Sequence, residues 1–148
     1  MYMAYKGVYK IKNIQKYSGD PSKIVYRSLW ERKFMIFCDT NSNVLEWSSE
    51  EIIIPYFSTI DNRYHRYFVD FWIKLKTNNG IQEYLIEIKP LNQCKPPKIK
   101  NPKKISKKEL NEIKKWNINK QKWKFASNYA NERNWKFKIL TEKQLNIY

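Results

Sequence analysis

Two acidic residues and a lysine on neighbouring segments have the types and spacing of a metal-dependent hydrolytic site. Asp70 lies in the apolar run 67–74, and Glu87 and Lys89 share one face of the run 82–89. Two close carboxylates in apolar surroundings repel each other and lose hydration, and a divalent cation offsets both costs. Hard oxygen ligands favour Mg²⁺, which polarises a phosphate and lowers the pKa of an attacking water. The ammonium beside them could position that water or stabilise the transition state.

A predicted hairpin brings these three residues together. The segment 77–80 separates the two runs, and its Asn-Gly pair is a strong signal for a tight turn between strands. A turn centred on that pair sets Asp70 opposite Lys89, whereas a turn one residue earlier sets it opposite Glu87. Either register places all three on one side of the sheet, with opposed Cβ atoms about 4.5–5.5 Å apart. The alternative is an ordinary cross-strand salt bridge on a solvated face. The apolar neighbours that argue against it are Phe68, Trp72 and Leu85.

Hydrophobic periodicity predicts the elements that position this trio. A first helix begins with a capping-box pattern at Ser28 and extends to about Asp39, and a first strand leads from 44–47 into 51–54. The two strands of the hairpin follow. The later elements are helical stretches at 110–116 and 119–130, a strand at 135–139 and a helical turn at 141–145. The order α-β-β-β-α-β predicts an α/β (α+β) protein with a mixed central sheet flanked by helices.

Composition restricts the class of protein. The 148 residues predict one domain over 1–148, and a net charge of +15 indicates a polyanionic partner. Nucleic acid is the first candidate and an anionic membrane the second, although an AT-rich genome would also enrich lysine. A membrane is disfavoured because the sequence contains no run of about 18 apolar residues. Cys38 and Cys94 stand outside any CxxC motif, which argues against a zinc site, and the start carries no secretion signal.

Two basic segments are candidates for phosphate contact. Residues 1–21 are predicted to form a basic N-terminal arm, and the Lys/Pro-rich connector 91–108 has seven lysines, three prolines and no acid. A solvated linker would explain the connector equally well. The helix predicted from residue 119 could direct its N-terminus at a phosphate, or its asparagine could serve only as a cap. The predicted DNA-binding residues are Lys95, Lys98, Lys100, Lys103, Lys104, Asn119 and Lys122.

The segments Tyr67-Phe68-Val69-Asp70 and Ile86-Glu87-Ile88-Lys89 resemble the signature of the PD-(D/E)xK nuclease superfamily, with valine in place of proline. The predicted element order is similar to the core of the restriction-endonuclease-like fold. In that fold an acid of the first helix, here Glu31, often joins the metal cluster. A capping box with Ser28 would explain Glu31 without any chemistry.

Further motifs narrow the resemblance to the head-completion nucleases of T-even-type tailed bacteriophages, in the same order over nearly the whole chain. The transposon end-cleaving endonuclease subunits share the same core. The motifs are Gly19-Asp20-Pro21, Tyr26-Arg27-Ser28 with Trp30-Glu31, Trp47 with Ser49-Glu50, Ile54-Pro55-Tyr56-Phe57, Arg66-Tyr67-Phe68, Trp116 with Asn119 and Lys122-Trp123, and Ile139-Leu140-Thr141-Glu142.

The resemblance implies a DNA endonuclease that depends on Mg²⁺, with Mn²⁺ able to substitute. Asp70, Glu87 and Glu31 would be the metal ligands and, with Lys89, the catalytic residues. The enzyme would act late in virion assembly on packaged DNA, in the host cytoplasm or the virion, with phage head or neck proteins as partners. The oligomeric state is left open. The alternative is a non-catalytic basic DNA-binding virion protein, for which carboxylates facing phosphate bring no advantage.

Overall fold

The chain is described by a computed structural model over residues 4–146. Its strands and helices are, in chain order, β1 (Ala4–Val8), β2 (Val25–Ser28), α1 (Leu29–Thr40), β3 (Val44–Ser49), β4 (Ile53–Ser58), β5 (Arg63–Phe68), β6 (Phe71–Thr77), β7 (Gly80–Ile88), α2 (Lys107–Glu132), β8 (Lys136–Leu140) and α3 (Glu142–Leu145). Within these residues, no helix combines the length and apolar character needed to cross a bilayer.

The central sheet has four strands in the order β3-β6-β7-β8. The β7–β8 pair is parallel and the other pairs are antiparallel, so the predicted mixed sheet flanked by helices is confirmed. The elements α1, β3, β6, β7, α2 and β8 reproduce the predicted α-β-β-β-α-β order. Strands β4 and β5 form a separate two-stranded ribbon that is inserted between β3 and β6.

Alternation along the strands gives each face of the sheet its own core. Phe71 packs in a buried cluster with Phe34 of α1, whereas the adjacent Trp72 packs in a second cluster with Leu85 and with Ala126 of α2. Successive side chains of a strand point to opposite faces, so residues two apart share one. Glu87 and Lys89 lie two and four residues beyond Leu85, so this alternation places their side chains on the face of the sheet that packs against α2.

The predicted β6–β7 hairpin is confirmed, in one of its two expected registers. Thr77 pairs with Gly80, so the turn consists of residues 78–79. Gly80 follows the turn with a φ of 112°, a backbone conformation that glycine adopts at low cost. Phe71 pairs with Ile86 in this register, so the next position along places Asp70 beside Glu87.

Two predicted strands are each divided in the structure, which corrects their bounds. The run predicted as 67–74 ends β5 and begins β6, and the run predicted from residue 44 to residue 54 contains both β3 and β4. Glu50 lies between the latter two with a φ of 54°. Its N–H donates to the carbonyl of Asp70 at 3.1 Å, and Val69 N–H donates to Ile52 at 3.1 Å. One strand thus carries an extra residue, and such a bulge bends the pair.

Helix α2 is continuous, which corrects the prediction of two helical stretches. Asn119 therefore lies within the helix rather than at an N-terminus, and a phosphate site at that supposed helix end is wrong. The N-cap is Ser106, which forms a capping box with Glu109. Asparagine inside a helix costs only about 0.7 kcal/mol relative to alanine, and the buried Ala126 and Ala130 hold the helix against the sheet.

The described part of the predicted basic arm packs against the fold, and residues 1–3 lie outside the described residues. Strand β1 pairs with β2, and the buried Tyr9 donates its hydroxyl to Asp39 Oδ2 at 2.7 Å. Lys16 Nζ donates to the carbonyl of Asn41 at 2.8 Å. Aromatic side chains among the lysines give this segment the apolar surface that anchors it. Residues 4–21 of the predicted arm are thus held to the fold by β1 and by these side-chain contacts.

Candidate active site

Asp70 lies between β5 and β6, just before the residues of β6 that pair with β7. Its Oδ2 atom accepts a hydrogen bond from the N–H of Ile88 at 2.8 Å. Because Ile88 stands between Glu87 and Lys89, this bond fixes the Asp70 carboxylate next to both. The structure therefore brings the three predicted residues together.

Glu87 is buried on β7, with only 8% of its surface exposed. The hydroxyl of Tyr67 donates to its Oε2 atom. Burial raises the pKa of Glu87, while the Tyr67 hydrogen bond and the ammonium groups of Lys89 and Lys122 partly offset that rise. Buried carboxylates are normally protonated unless a positive charge compensates them.

The pKa of Asp70 is raised well above its usual range. Burial is the main cause, and the carboxylates of Glu87 and Glu31 add to it. The Ile88 hydrogen bond and Lys89 act in the opposite direction. Asp70, which is half-buried, and the buried Glu87 thus form a like-charged pair, which is unfavourable unless protons or a cation neutralise it.

Lys89 connects this pair to a cleft. The cleft has a volume of about 1040 Å³ and lies between the connector and α2, with Lys89 and Lys122 both in its lining. Both lysines interact electrostatically with Glu87. The carboxylate pair therefore adjoins an open, basic space.

The predicted DNA-binding residues fall into two groups. Lys95, Lys98, Asn119 and Lys122 line the cleft. Lys100, Lys103 and Lys104 are exposed on the connector outside that lining. Their contacts with DNA remain predictions.

Lys122 lies closer to the carboxylates than the sequence indicates. Its Nζ atom is 5.4 Å from the ring centroid of Tyr67 and 5.8 Å from that of Tyr56. Burial lowers the pKa of Lys122, and the carboxylates of Glu87 and Asp70 act against that decrease. Lys122 is thus a neighbour of the carboxylate pair as well as a cleft residue.

Glu31 occupies the first turn of α1. Its Oε2 atom accepts from the Ser28 hydroxyl at 3.2 Å, and its Oε1 atom accepts from Arg27 N–H at 3.4 Å. Burial raises its pKa, and it is near enough to Asp70 to raise the pKa of that residue. Ser28 caps the helix by accepting the Glu31 N–H at 3.1 Å, but the Glu31 carboxylate accepts from Arg27 N–H instead of Ser28 N–H, so the expected capping box is incomplete. A metal-ligand role for Glu31 stays a prediction.

The carboxylate pair fits a divalent cation. The two neighbouring acids have raised pKa values and provide hard oxygen ligands and the negative charge that a cation would neutralise. Among residues 4–146 no group of three or more His, Cys, Asp or Glu side chains is arranged to hold a metal. Mg²⁺ is commonly bound by one or two carboxylates, with water and phosphate oxygens completing its shell.

Comparison with known proteins identifies the family. Residues 41–142 match the family described as TnsA-like endonuclease N terminal. The chain is also 45% identical over 145 residues to a protein named head completion nuclease from Enterobacteria phage T4, a match that covers 97% of this chain and 95% of that relative. The chain belongs to this endonuclease family.

The family relationship confirms the predicted resemblance and the nuclease function. The matched range contains Asp70, Glu87 and Lys89, whereas Glu31 precedes it. The relative covers both parts.

Two contacts around the Asp70–Glu87 pair have no signal in the sequence. Tyr67 of β5, next to the bulge, donates its hydroxyl to Glu87 of β7. At that bulge Glu50 binds Arg27 through two bonds, from Nε to Oε1 at 2.9 Å and from a terminal nitrogen to Oε2 at 3.3 Å. The pKa of Arg27 is raised, chiefly by Glu50 and to a lesser extent by Glu31 and Asp70. Glu50 is thus half-buried and paired with Arg27.

Glu51 and His65 lie outside the site. Glu51 is exposed. His65 lies in β5 and pairs with Asp61 at 2.7 Å. Neither residue is assigned a role in the chemistry.

The Tyr67→Phe variant tests the contact with Glu87. Loss of the hydroxyl removes a bond that lowers the pKa of Glu87, so that pKa should rise and the acidic limb of the pH–rate profile should move to higher pH. We expect cleavage at neutral pH to fall about tenfold, the range for a lost hydrogen bond to a charged group. Initial cleavage rates over a pH series at fixed Mg²⁺ measure this. Tyr56→Phe, on the same ribbon, is the control and should leave the profile in place; equal shifts in both variants would contradict the assignment.

Proposed function

We propose that this nuclease hydrolyses DNA phosphodiester bonds with Mg²⁺ held by Asp70 and Glu87, and that Lys89 assists the reaction. The observation that supports the proposal best is the close pair of carboxylates, the buried Glu87 and the half-buried Asp70, which adjoins two lysines at a basic cleft. A bound cation would polarise the scissile phosphate and lower the pKa of the attacking water.

The protein groups have distinct parts in this proposal. Tyr67 orients Glu87 through its hydroxyl, and the Ile88 N–H orients Asp70. Fixed ligands avoid reorganisation at the moment of reaction, which is a large part of electrostatic catalysis. The ammonium of Lys89 stands beside both carboxylates, where it can bind a non-bridging phosphate oxygen or position water. Mn²⁺ would be accepted by the same oxygen ligands.

We further infer a role in phage head completion. The T4 relative carries that function in its name, and the similarity extends over nearly the full length of both proteins. The DNA end in a filled head is then the natural substrate, in the host cytoplasm or the virion, with head or neck proteins as neighbours. The charge of +15 suits a protein that acts on a polyanion.

Cleavage of supercoiled plasmid tests the hydrolytic activity. We expect nicked or linear product with Mg²⁺, none with EDTA, and none from the Asp70→Ala or Lys89→Ala variant. Glu132→Ala removes an exposed carboxylate at the far end of α2 and is the matched control, which should cut like the wild type. Cleavage that persists in EDTA and in the Asp70→Ala variant would refute the proposal.

A non-catalytic DNA-binding protein predicts a different set of results. It would bind DNA in a salt-sensitive manner, and Asp70→Ala would leave binding intact or strengthen it. It would cut under no metal condition. The plasmid assay and a binding assay on the same variants therefore separate the two functions.

A further inference from the structure

Both walls of the cleft beside Lys89 carry lysines. Lys95 and Lys98 of the connector form one side, and the other is a stripe of α2 that contains Lys115, Trp116 and Lys122. The described lining includes five lysines and a single acid, Glu112, at the opposite end of the stripe from Lys122. Positive charge on both walls favours a phosphate backbone between them.

Spacing along α2 gives the cleft a direction. Each lining residue of the helix has another lining residue three or four positions away, which places them on one face. At about 1.5 Å per residue, the stripe from Glu112 to Lys122 is about 15 Å long and ends at the carboxylates. A strand that follows the stripe therefore leads to Asp70 and Glu87.

The size of the cleft argues for one strand rather than two. Its volume of about 1040 Å³ lies at the upper end of pockets that hold small ligands, about 300–1000 Å³. A double helix needs far more space, whereas a strand that advances about 3.4 Å per nucleotide could place a few nucleotides along the stripe.

Trp116 supplies a surface for bases. The residue is half-buried in the lining and forms a T-shaped contact with Trp123, at 6.0 Å between ring centroids. Lys120 Nζ lies 5.7 Å from its ring centroid. Sites for single-stranded nucleic acid combine a basic groove with aromatic side chains on which bases stack.

We propose that this cleft binds unpaired DNA, so that the enzyme prefers a duplex end with a single-stranded extension over blunt duplex. Trp116 stacks on a base of the unpaired strand, and the lysines of both walls contact its phosphates. The proposal rests on the proposed nuclease function for its purpose, because the bound strand leads to the cleavage site. Binding itself requires neither metal nor catalysis.

Binding measured in EDTA tests the cleft separately from the chemistry. Three labelled substrates share one duplex: blunt, with an extension of about ten nucleotides, and with an abasic extension of equal length. Fluorescence anisotropy should give a lower Kd for the extended duplex than for the blunt one. The abasic extension should bind less tightly than the extension with bases, since it offers phosphates without stacking.

Variants assign the preference to the cleft. Trp116→Ala should weaken binding of the extended duplex about tenfold and leave blunt and abasic substrates unchanged, and Trp116→Phe should restore most of the loss. Lys98→Glu should reduce the preference for the extension. Lys103→Glu makes the same charge change on the same connector outside the lining, and it should weaken all substrates alike.

Several outcomes would overturn the cleft proposal. They are equal wild-type binding of blunt and extended duplexes, equal losses on all substrates in Trp116→Ala, and equal effects of Lys98→Glu and Lys103→Glu. If Trp116→Ala melts at a lower temperature, the lysine pair decides alone. A preference for the extension without any Mg²⁺-dependent cleavage would remove the nuclease mechanism but leave the cleft, so the two failures are distinguishable.

Discussion

The Asp70→Asn variant is expected to lose DNA cleavage by at least about 1000-fold, because metal-bound charge contributes several kcal/mol to phosphoryl chemistry. Asparagine keeps the size of the side chain, and its amide oxygen can still accept the Ile88 N–H bond. The fold should therefore survive while the ligand charge is lost. Single-turnover cleavage with saturating Mg²⁺ measures the effect. A variant that retains Mg²⁺-dependent cleavage within about tenfold of wild type would show that Asp70 is not a ligand.

The same variant should be more stable than wild type when no metal is present. Because the pKa of Asp70 is raised in the folded protein, the folded state binds the proton more tightly than the unfolded state. The stability of the wild type in EDTA should therefore fall as pH rises from the normal carboxylate range towards that raised pKa. Glu87 contributes in the same direction. Asp70→Asn should weaken this decline, and Mg²⁺ should raise the Tm of the wild type more than that of the variant.

Asp39 is a buried aspartate whose pKa is shifted in the opposite direction from that of Asp70. Hydrogen bonds from Lys12, Tyr9 and Asn13 outweigh the effect of its burial and lower its pKa. Its stabilising contribution is present above the usual carboxylate pKa and is lost as pH falls. Asp39→Asn should therefore lower the Tm at neutral pH and leave cleavage by the folded protein unchanged. A Tm decrease of equal size in both variants would contradict the like-charge account of Asp70.

The convergence of Asp70, Glu87 and Lys89 could be predicted from local signals. An Asn-Gly pair fixes a hairpin, and a period of two then decides which side chains share a face. These two rules were enough to bring Asp70, Glu87 and Lys89 together, although they left two registers open. The choice between the registers depends on whether residues 78–79 or residues 79–80 form the turn. The glycine at position 80 suits both, because it follows the turn in the first case and is part of it in the second.

The bend that completes the site could not be predicted in this way. The run through Val69 contains neither glycine nor proline, and the interruption there is imposed by the partner strand. That strand places Glu50 at a positive φ, which for a residue other than glycine or asparagine has no compositional signal. The contacts of Tyr67 with Glu87 and of Arg27 with Glu50 depend on this bend and were therefore missed.

Charged and polar residues also made two elements, β5 and α2, hard to predict from the sequence. Strand β5 carries arginines and a histidine because its ribbon has one exposed face, where Tyr64 is 70% exposed, so the segment reads as a loop. In α2 the polar residues around Asn119 interrupt the apolar period because they line the cleft instead of the core. The departure in α2 thus lies along the proposed substrate path. Local rules fail most readily where function requires polar residues.

Replacing Lys89 by methionine is expected to reduce cleavage about 100- to 1000-fold, the range for the loss of one preorganised donor to a developing negative charge. Methionine preserves the length of the side chain without the ammonium. The variant should still bind DNA in EDTA and should still gain stability from Mg²⁺, because both carboxylates remain. Single-turnover rates, anisotropy and thermal melting of one preparation measure these three properties.

Lys122→Met is the matched comparison, since both ammonium groups lower the pKa of Glu87. If Lys89 acts only by keeping the carboxylates ionised, its loss raises their pKa values, and raising the pH should restore the rate. If Lys89 contacts the reacting phosphate or the water, higher pH restores little, because a missing donor is not replaced by ionised carboxylates. We expect the second pattern for Lys89→Met and, for Lys122→Met, a loss of about tenfold that higher pH largely reverses. Full recovery of the Lys89→Met cleavage rate at high pH would show that this lysine acts only by keeping Asp70 and Glu87 ionised.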